Sequence, residues 1–278
     1  MAPTYEQRGP LMQRLWDQMQ IDPGQEASCM AAARRVLANK ARYQKVTAKT
    51  GVPWWFVGTI HLMESSCDFS THLHNGDSLR AKTHQVPPGR PPGPPSGPNG
   101  YTWEESAIDA LTMPGKRFQN VTDWSIAHTL YLLELYNGFG YVRTQDFSPY
   151  LWARTTINDG TGKYVRDGVY DPNANADGQV GAAAVLRCLT ELDPSIAFGP
   201  RPMTEDEVRK TAGVAAGGAI AVGGAIAATT QKPASPAQPE SHAGIYLGAA
   251  LFAALICAVA FAYFRTNRHG TITPRKED

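Results

Sequence analysis

Glu64 ends an apolar, aromatic-rich stretch, Trp54-Trp55-Phe56-Val57-Gly58-Thr59-Ile60-His61-Leu62-Met63-Glu64-Ser65-Ser66, and His74-Asn75-Gly76-Asp77 follows it. A carboxyl group at the end of such a helix is badly solvated. Poor solvation raises its pKa and lets it hold a proton near neutral pH. Asp77, thirteen positions on, offers a second carboxylate on a turn. One protonated acid with one ionised partner is the equipment for breaking a glycosidic bond. Thr83, six residues beyond Asp77, is placed to hold a water between its hydroxyl and that carboxylate. Asp68 is the rival second carboxylate, although its place directly after the helix also suits capping of local backbone. His61, His72 and His74 lie in the same segment. A metal site needs three or four convergent ligands, so hydrogen bonding that fixes the turn is the expected role. Neither a metal nor a cofactor is expected.

These residues must be positioned by helices. Residues 27–49 are helix-compatible and are stopped by Thr50-Gly51-Val52-Pro53. Pro53 then suits the first turn of a helix over 54–66, where its missing N–H costs nothing. Ile60 and Glu64 are four apart and share a face of that helix. Glu64 falls in its last turn, near the negative end of the helix dipole, which further disfavours its charged form. Over 69–100 an Asn-Gly turn signal is followed by a run dense in Pro and Gly, which predicts a short β-hairpin and then an exposed proline loop. Thr102-Trp103-Glu104-Glu105 matches a capping box and opens a helix to about Leu111. Asp123 is expected to cap a helix over 124–136, ended by Asn137-Gly138-Phe139-Gly140-Tyr141. A last helix is expected over 178–192.

The 278 residues carry a formal net charge of +1, so nothing in the overall charge favours a nucleic-acid partner. Cys29, Cys67, Cys188 and Cys257 form no CxxC pair, which argues against zinc and against a disulfide framework. No nucleophilic role is expected of Cys67. The first twenty residues lack the apolar core of a secretory signal, holding Glu6, Arg8, Arg14 and Asp17 instead. After Asp206 the character changes. Residues 211–230 carry no charge and consist mostly of Gly and Ala, and residues 243–264 form a second uncharged run richer in Leu, Ile and Phe. Each is long enough to cross a hydrocarbon layer of about 30 Å. The first gains little on leaving water, so a linker is the alternative reading for it, and its Gly pairs would let two helices pack closely. The organisation expected is a catalytic domain over 1–200, a linker over 201–210, transmembrane helices over 211–230 and 243–264 joined by a loop over 231–242, and a basic tail over 265–278. Arg209 and Lys210 precede the first span, and Arg265, Arg268, Arg275 and Lys276 follow the second. Both ends are therefore expected on the cytoplasmic side of a bacterial inner membrane, with the large domain. From there a cell wall is reached only when the membrane opens or the spans release or invert.

Glu64-Ser65 at a helix end resembles the acid motif of the lysozyme-like superfamily, which includes lytic transglycosylases and goose-type lysozymes. Asp77 with Thr83 is similar to the Glu…Asp…Thr order of phage-type lysozymes, with a longer gap after the Glu. Tyr136-Asn137-Gly138-Phe139-Gly140 is similar to the Tyr-Asn-Ala-Gly segment of lytic transglycosylases, with Gly138 where Ala is usual. The likeness spans about residues 25 to 195. It implies a mainly α, lysozyme-like α+β domain with a small β-hairpin region, here followed by the transmembrane helical hairpin. It also implies a muramidase of phage lysis type, cleaving the β-1,4 bond between N-acetylmuramic acid and N-acetylglucosamine in peptidoglycan. Glu64, Asp77 and Thr83 would then be catalytic, and Ser65, Tyr136, Asn137, Tyr141 and Tyr150 would bind sugar. Trp54, Trp55, Tyr101, Trp103 and Trp152 are further aromatic candidates for a carbohydrate groove, although most of the aromatic set is expected in the core. The partners would be a glycan strand and a lipid bilayer. Two alternatives stand beside this reading. One is a lytic transglycosylase, and the other is a non-enzymatic, holin-like membrane protein with a cell-wall-binding domain.

Overall fold

A computed structural model describes residues 2–144, 146–166, 168–200 and 203–209. The two uncharged runs at 211–230 and 243–264 lie outside the described residues, as do the loop and basic tail expected around them. Among the described residues, no helix is long and apolar enough to cross a membrane.

The described chain is mainly helical with one small antiparallel sheet. In order it forms α1 (Tyr5–Gln18), α2 (Glu26–Ala38), α3 (Lys40–Thr50), α4 (Trp54–Ser65), α5 (Trp103–Thr112), α6 (Ile126–Asn137), α7 (Pro149–Trp152), strands β1 (Thr161–Arg166) and β2 (Val169–Asn175), and α8 (Ala182–Leu192). Helix α4 is the centre of the arrangement. Its residues from Trp54 to His61 are all buried, as befits a helix apolar on every side. It packs against α2, α3 and α8. Gly58 permits the closest approach. A Cβ there would lie 2.5 Å from Val36 Cγ1 and 2.8 Å from Tyr43 Cε2. On the other flank, α1 packs on α6, and the buried Glu134 of α6 accepts two hydrogen bonds from Arg8.

Local chemistry explains the element boundaries. The single helix expected over 27–49 is two helices. Asn39 breaks it, because its side-chain amide donates to the carbonyl of Arg35 at 2.9 Å and competes with the helical ladder. Gly51 ends α3 in a left-handed conformation, φ 71°. The capping box before α5 forms as the sequence predicts, with Thr102 and Glu105 bonding reciprocally to each other's backbone N–H. Helix α6 starts two residues later than expected, behind Ser125. Asp123 accepts from Ser125 rather than from the first turn.

The hairpin is not where the sequence reading put it. Between residues 69 and 100 there are only isolated bridges, Thr71 with Ser78 and Gly97 with Gly100. The Asn75-Gly76 turn forms, but nearby N–H groups bond to the Asp77 carboxylate instead of a partner strand. The paired strands are β1 and β2, on either side of an Asp-Gly dipeptide at 167–168. That dipeptide is a strong hairpin signal, and the sequence reading passed over it.

Candidate active site

Glu64 occupies the last turn of α4 and is half-buried. The residues beneath it fix the helix end. His61 is fully buried, with Nδ1 3.1 Å from Tyr43 Oη and Nε2 3.1 Å from the carbonyl oxygen of Asp68. Burial lowers the His61 pKa to about 4, so the ring is neutral at physiological pH. Ser66 then closes the helix in a left-handed conformation, φ 54°.

Two depressions lie near Glu64, and it borders the first of them. One, of about 350 Å³, is bordered by Glu64, Lys116, Tyr136, Asn137 and the loop residues Val86 and Pro87. The other, of about 530 Å³, is bordered by Asn137, Tyr141, Tyr150, Lys163 and Tyr164. Asn137, at the end of α6, belongs to both walls. Tyr150, in the second wall, donates from Oη to Glu64 Oε1 at 3.1 Å. The carboxyl group thus borders the first depression and is bonded to a residue in the wall of the second.

The electrostatics suit a proton donor. Burial raises the pKa of Glu64, and the Tyr150 hydroxyl and the Lys116 charge oppose that rise. Lys116 donates to the carbonyl of Tyr136 at 3.1 Å and stands 4.4 Å over that ring. Burial lowers the Lys116 pKa, while the Glu64 charge acts to raise it. The Tyr136 and Tyr150 phenols are pushed well up, first by burial and then by the charge of Glu64. Tyr136 is anchored by its hydroxyl, which donates to the carbonyl of Leu73 at 2.8 Å.

The residues singled out from the sequence divide into two groups. Glu64, Tyr136, Asn137, Tyr141 and Tyr150 come together along the furrow. The Tyr141 hydroxyl accepts from the backbone N–H of Tyr164 at 3.2 Å, tying the furrow wall to β1. Ser65 is adjacent in sequence, but its hydroxyl turns back to the carbonyl of His61 at 3.3 Å. Asp77 and Thr83 border neither depression. Asp77 is committed to its own loop: Oδ2 accepts from the backbone N–H of His84 at 2.7 Å and of Gln85 at 3.0 Å, and from Asn75 Nδ2 at 3.1 Å. Those bonds hold its pKa below the usual range. Thr83 donates to the carbonyl of Pro87 at 2.5 Å and accepts from the N–H of Arg90 at 2.9 Å, so its hydroxyl is used in closing the proline loop. Asp68 accepts from Ser70 N and Oγ and caps its local turn. Among the described residues, neither depression has a second carboxylate in its wall.

His61, His72 and His74 bond within the scaffold, and His74 also borders the first depression. His72 bonds to Ser106 and to the carbonyl of Ala81, and His74 bonds to Asp109, which also takes two bonds from Arg90. Trp54, Trp55, Trp103 and Trp152 belong to the core, as does Tyr101. Lys116, Lys163 and Tyr164 are furrow residues that the sequence reading missed. Tyr164 lies in the overlooked hairpin, and Lys116 follows a Pro-Gly pair that signals only a turn. Set against models of protein families, curated proteins and solved structures, the chain matches none of them.

Proposed function

We propose that this chain cleaves the glycan strand of peptidoglycan at the β-1,4 bond of N-acetylmuramic acid, with Glu64 as its acid and base. One observation carries the reading: a desolvated carboxyl with a raised pKa in the wall of one depression, hydrogen-bonded to Tyr150 in the wall of a second that shares Asn137 with the first. The Glu-Ser helix end and the Tyr-Asn-Gly segment that resemble lysozyme-like enzymes supply two of those furrow residues, Tyr136 and Asn137, together with Glu64 itself. Protonated Glu64 gives its proton to the glycosidic oxygen as the C1–O bond breaks and the electron pair leaves with that oxygen. Tyr150 and Lys116 then stabilise the carboxylate left behind. The fold is lysozyme-like in this reading, and the uncharged runs after residue 210 anchor the domain to a bacterial membrane.

Among the described residues neither depression offers a second carboxylate, and that favours one outcome over the other. Hydrolysis through paired acids uses the second to activate water or to trap the sugar cation. With Glu64 alone, its carboxylate takes the proton of a hydroxyl on the same sugar while that oxygen closes onto C1. The product is an anhydro sugar, with no water consumed, as in a lytic transglycosylase. Mass spectrometry of muropeptides released by the full-length protein tests both levels. Fragments one water lighter than the reducing sugar are expected, and none with Glu64→Gln. Reducing ends would replace transglycosylation with hydrolysis. Undiminished release by the Gln variant would remove Glu64 from the chemistry.

A further inference from the structure

The geometry points to a second subsite beside the furrow, one that takes the acidic peptide carried by a muramoyl residue. This inference rests on the proposed glycan cleavage. A cavity of about 390 Å³ is bordered by α2, the end of α4, Arg154 and the segment before α8. It shares Gly178 and Gln179 with the tyrosine-lined depression, so the two adjoin. Its lining combines two arginines, Arg35 and Arg154, with the apolar residues Leu62 and Met63, and no Asp or Glu lines it among the described residues.

Neither arginine is held in an ion pair among the described residues. The Arg35 side chain is exposed and makes no hydrogen bond or ion pair among the described residues. Arg154 is held in a left-handed backbone conformation, φ 61°. Its Nη2 donates to the carbonyl of Asp177 at 3.1 Å, while its buried Nε has no partner. Asp22 and Asp177 share its neighbourhood, and neither forms an ion pair with it. A guanidinium with donors to spare recognises carboxylates by paired, charge-assisted bonds. The apolar walls suit the methyl groups of alanine residues. A short peptide bearing carboxylates and alanines therefore matches both the charge and the surface of this cavity. In peptidoglycan such a peptide hangs from the sugar that the furrow would hold.

The test uses wild type, Arg35→Ala and Arg154→Gln as full-length proteins. Each is assayed on intact peptidoglycan and on glycan strands stripped of peptide by an amidase. Binding of a free acidic, alanine-containing stem tetrapeptide is measured in parallel by calorimetry. The expected result is a loss of about tenfold in kcat/KM on intact wall for each variant, carried by KM, with matching weakening of peptide binding and little change on stripped strands. Equal losses on both substrates, or peptide binding untouched by both substitutions, would overturn the proposal. Arg35 is exposed, so its variant keeps the test sound if Arg154→Gln fails to fold. Wild-type protein that cuts neither substrate would sink the glycan-cleavage reading, and the calorimetry would still decide the peptide site.

Discussion

The last turn of α4 and the loop that follows it each carry a carboxylate, and the two have opposite surroundings. Glu64 is half-buried and takes one hydrogen bond from a tyrosine, so burial outweighs its partners and its pKa rises. Asp77 is surrounded by donors, and the backbone N–H groups of Gln85 and His84, helped by the Asn75 amide, hold its pKa down. Short of partners, a buried acid is ready to exchange a proton. Saturated with N–H donors, the other is a brace. Proximity in sequence does not tell these apart, whereas the number of donors aimed at each carboxylate does.

The sharpest break of this contrast is a pair of substitutions. Glu64→Gln should lower glycan cleavage about a thousandfold, the scale of a lost general acid, while Asp77→Asn leaves turnover nearly intact. A reversed order in a muropeptide release assay would return Asp77 to the chemistry.

The next effect concerns the ground beneath Glu64. His61 is neutral in the fold with a pKa of about 4, against 6.5 when unperturbed. The unfolded chain therefore binds more protons than the native one between those values, and stability falls as pH drops through that window. The loss amounts to roughly 3 kcal/mol from pH 7 to pH 4. Denaturant melts across that range should show it, and His61→Phe should flatten the dependence. An unchanged slope in that variant would place the acid sensitivity elsewhere.

Smaller consequences follow in the loop. Asp77→Asn and Thr83→Val should speed hydrogen exchange at His84, Gln85 and Arg90, leaving the amides of α4 protected. Protection lost equally in both regions would show that they open as one unit.

The smallest effect expected is a shift in pH profile. Activity needs protonated Glu64, so it declines as pH rises through that group's raised pKa. Tyr150→Phe removes a donor to the carboxylate and Lys116→Gln removes a positive charge, so both should move the alkaline limb to higher pH. Movement to lower pH in either variant would show that the surroundings of Glu64 act differently.

The same contrast explains what the sequence made legible. Helices α4, α5 and α8 were readable because apolar spacing, Pro53 and the Thr102–Glu105 box are local signals. Glu64 was readable because its helix is apolar on every side. Asp77 and Thr83 were misplaced because their partners, the amides of His84, Gln85 and Arg90, are set by a loop path that no periodicity reports. Lys116 comes to Glu64 only through the packing of separate elements. The break at Asn39 turned on a single side-chain bond.

Gly58 links the proposed acid to the whole domain. The hydrogen at that position lets α4 lie flush on Val36 and Tyr43, and less than two helical turns later the same rod delivers Glu64 to the furrow. An added methyl would lever the rod outward and swing its tip. Such a lesion would look like an active-site defect while sitting in the deepest part of the molecule. The acid also has no hinge of its own, so under rising denaturant catalysis and global unfolding should disappear together.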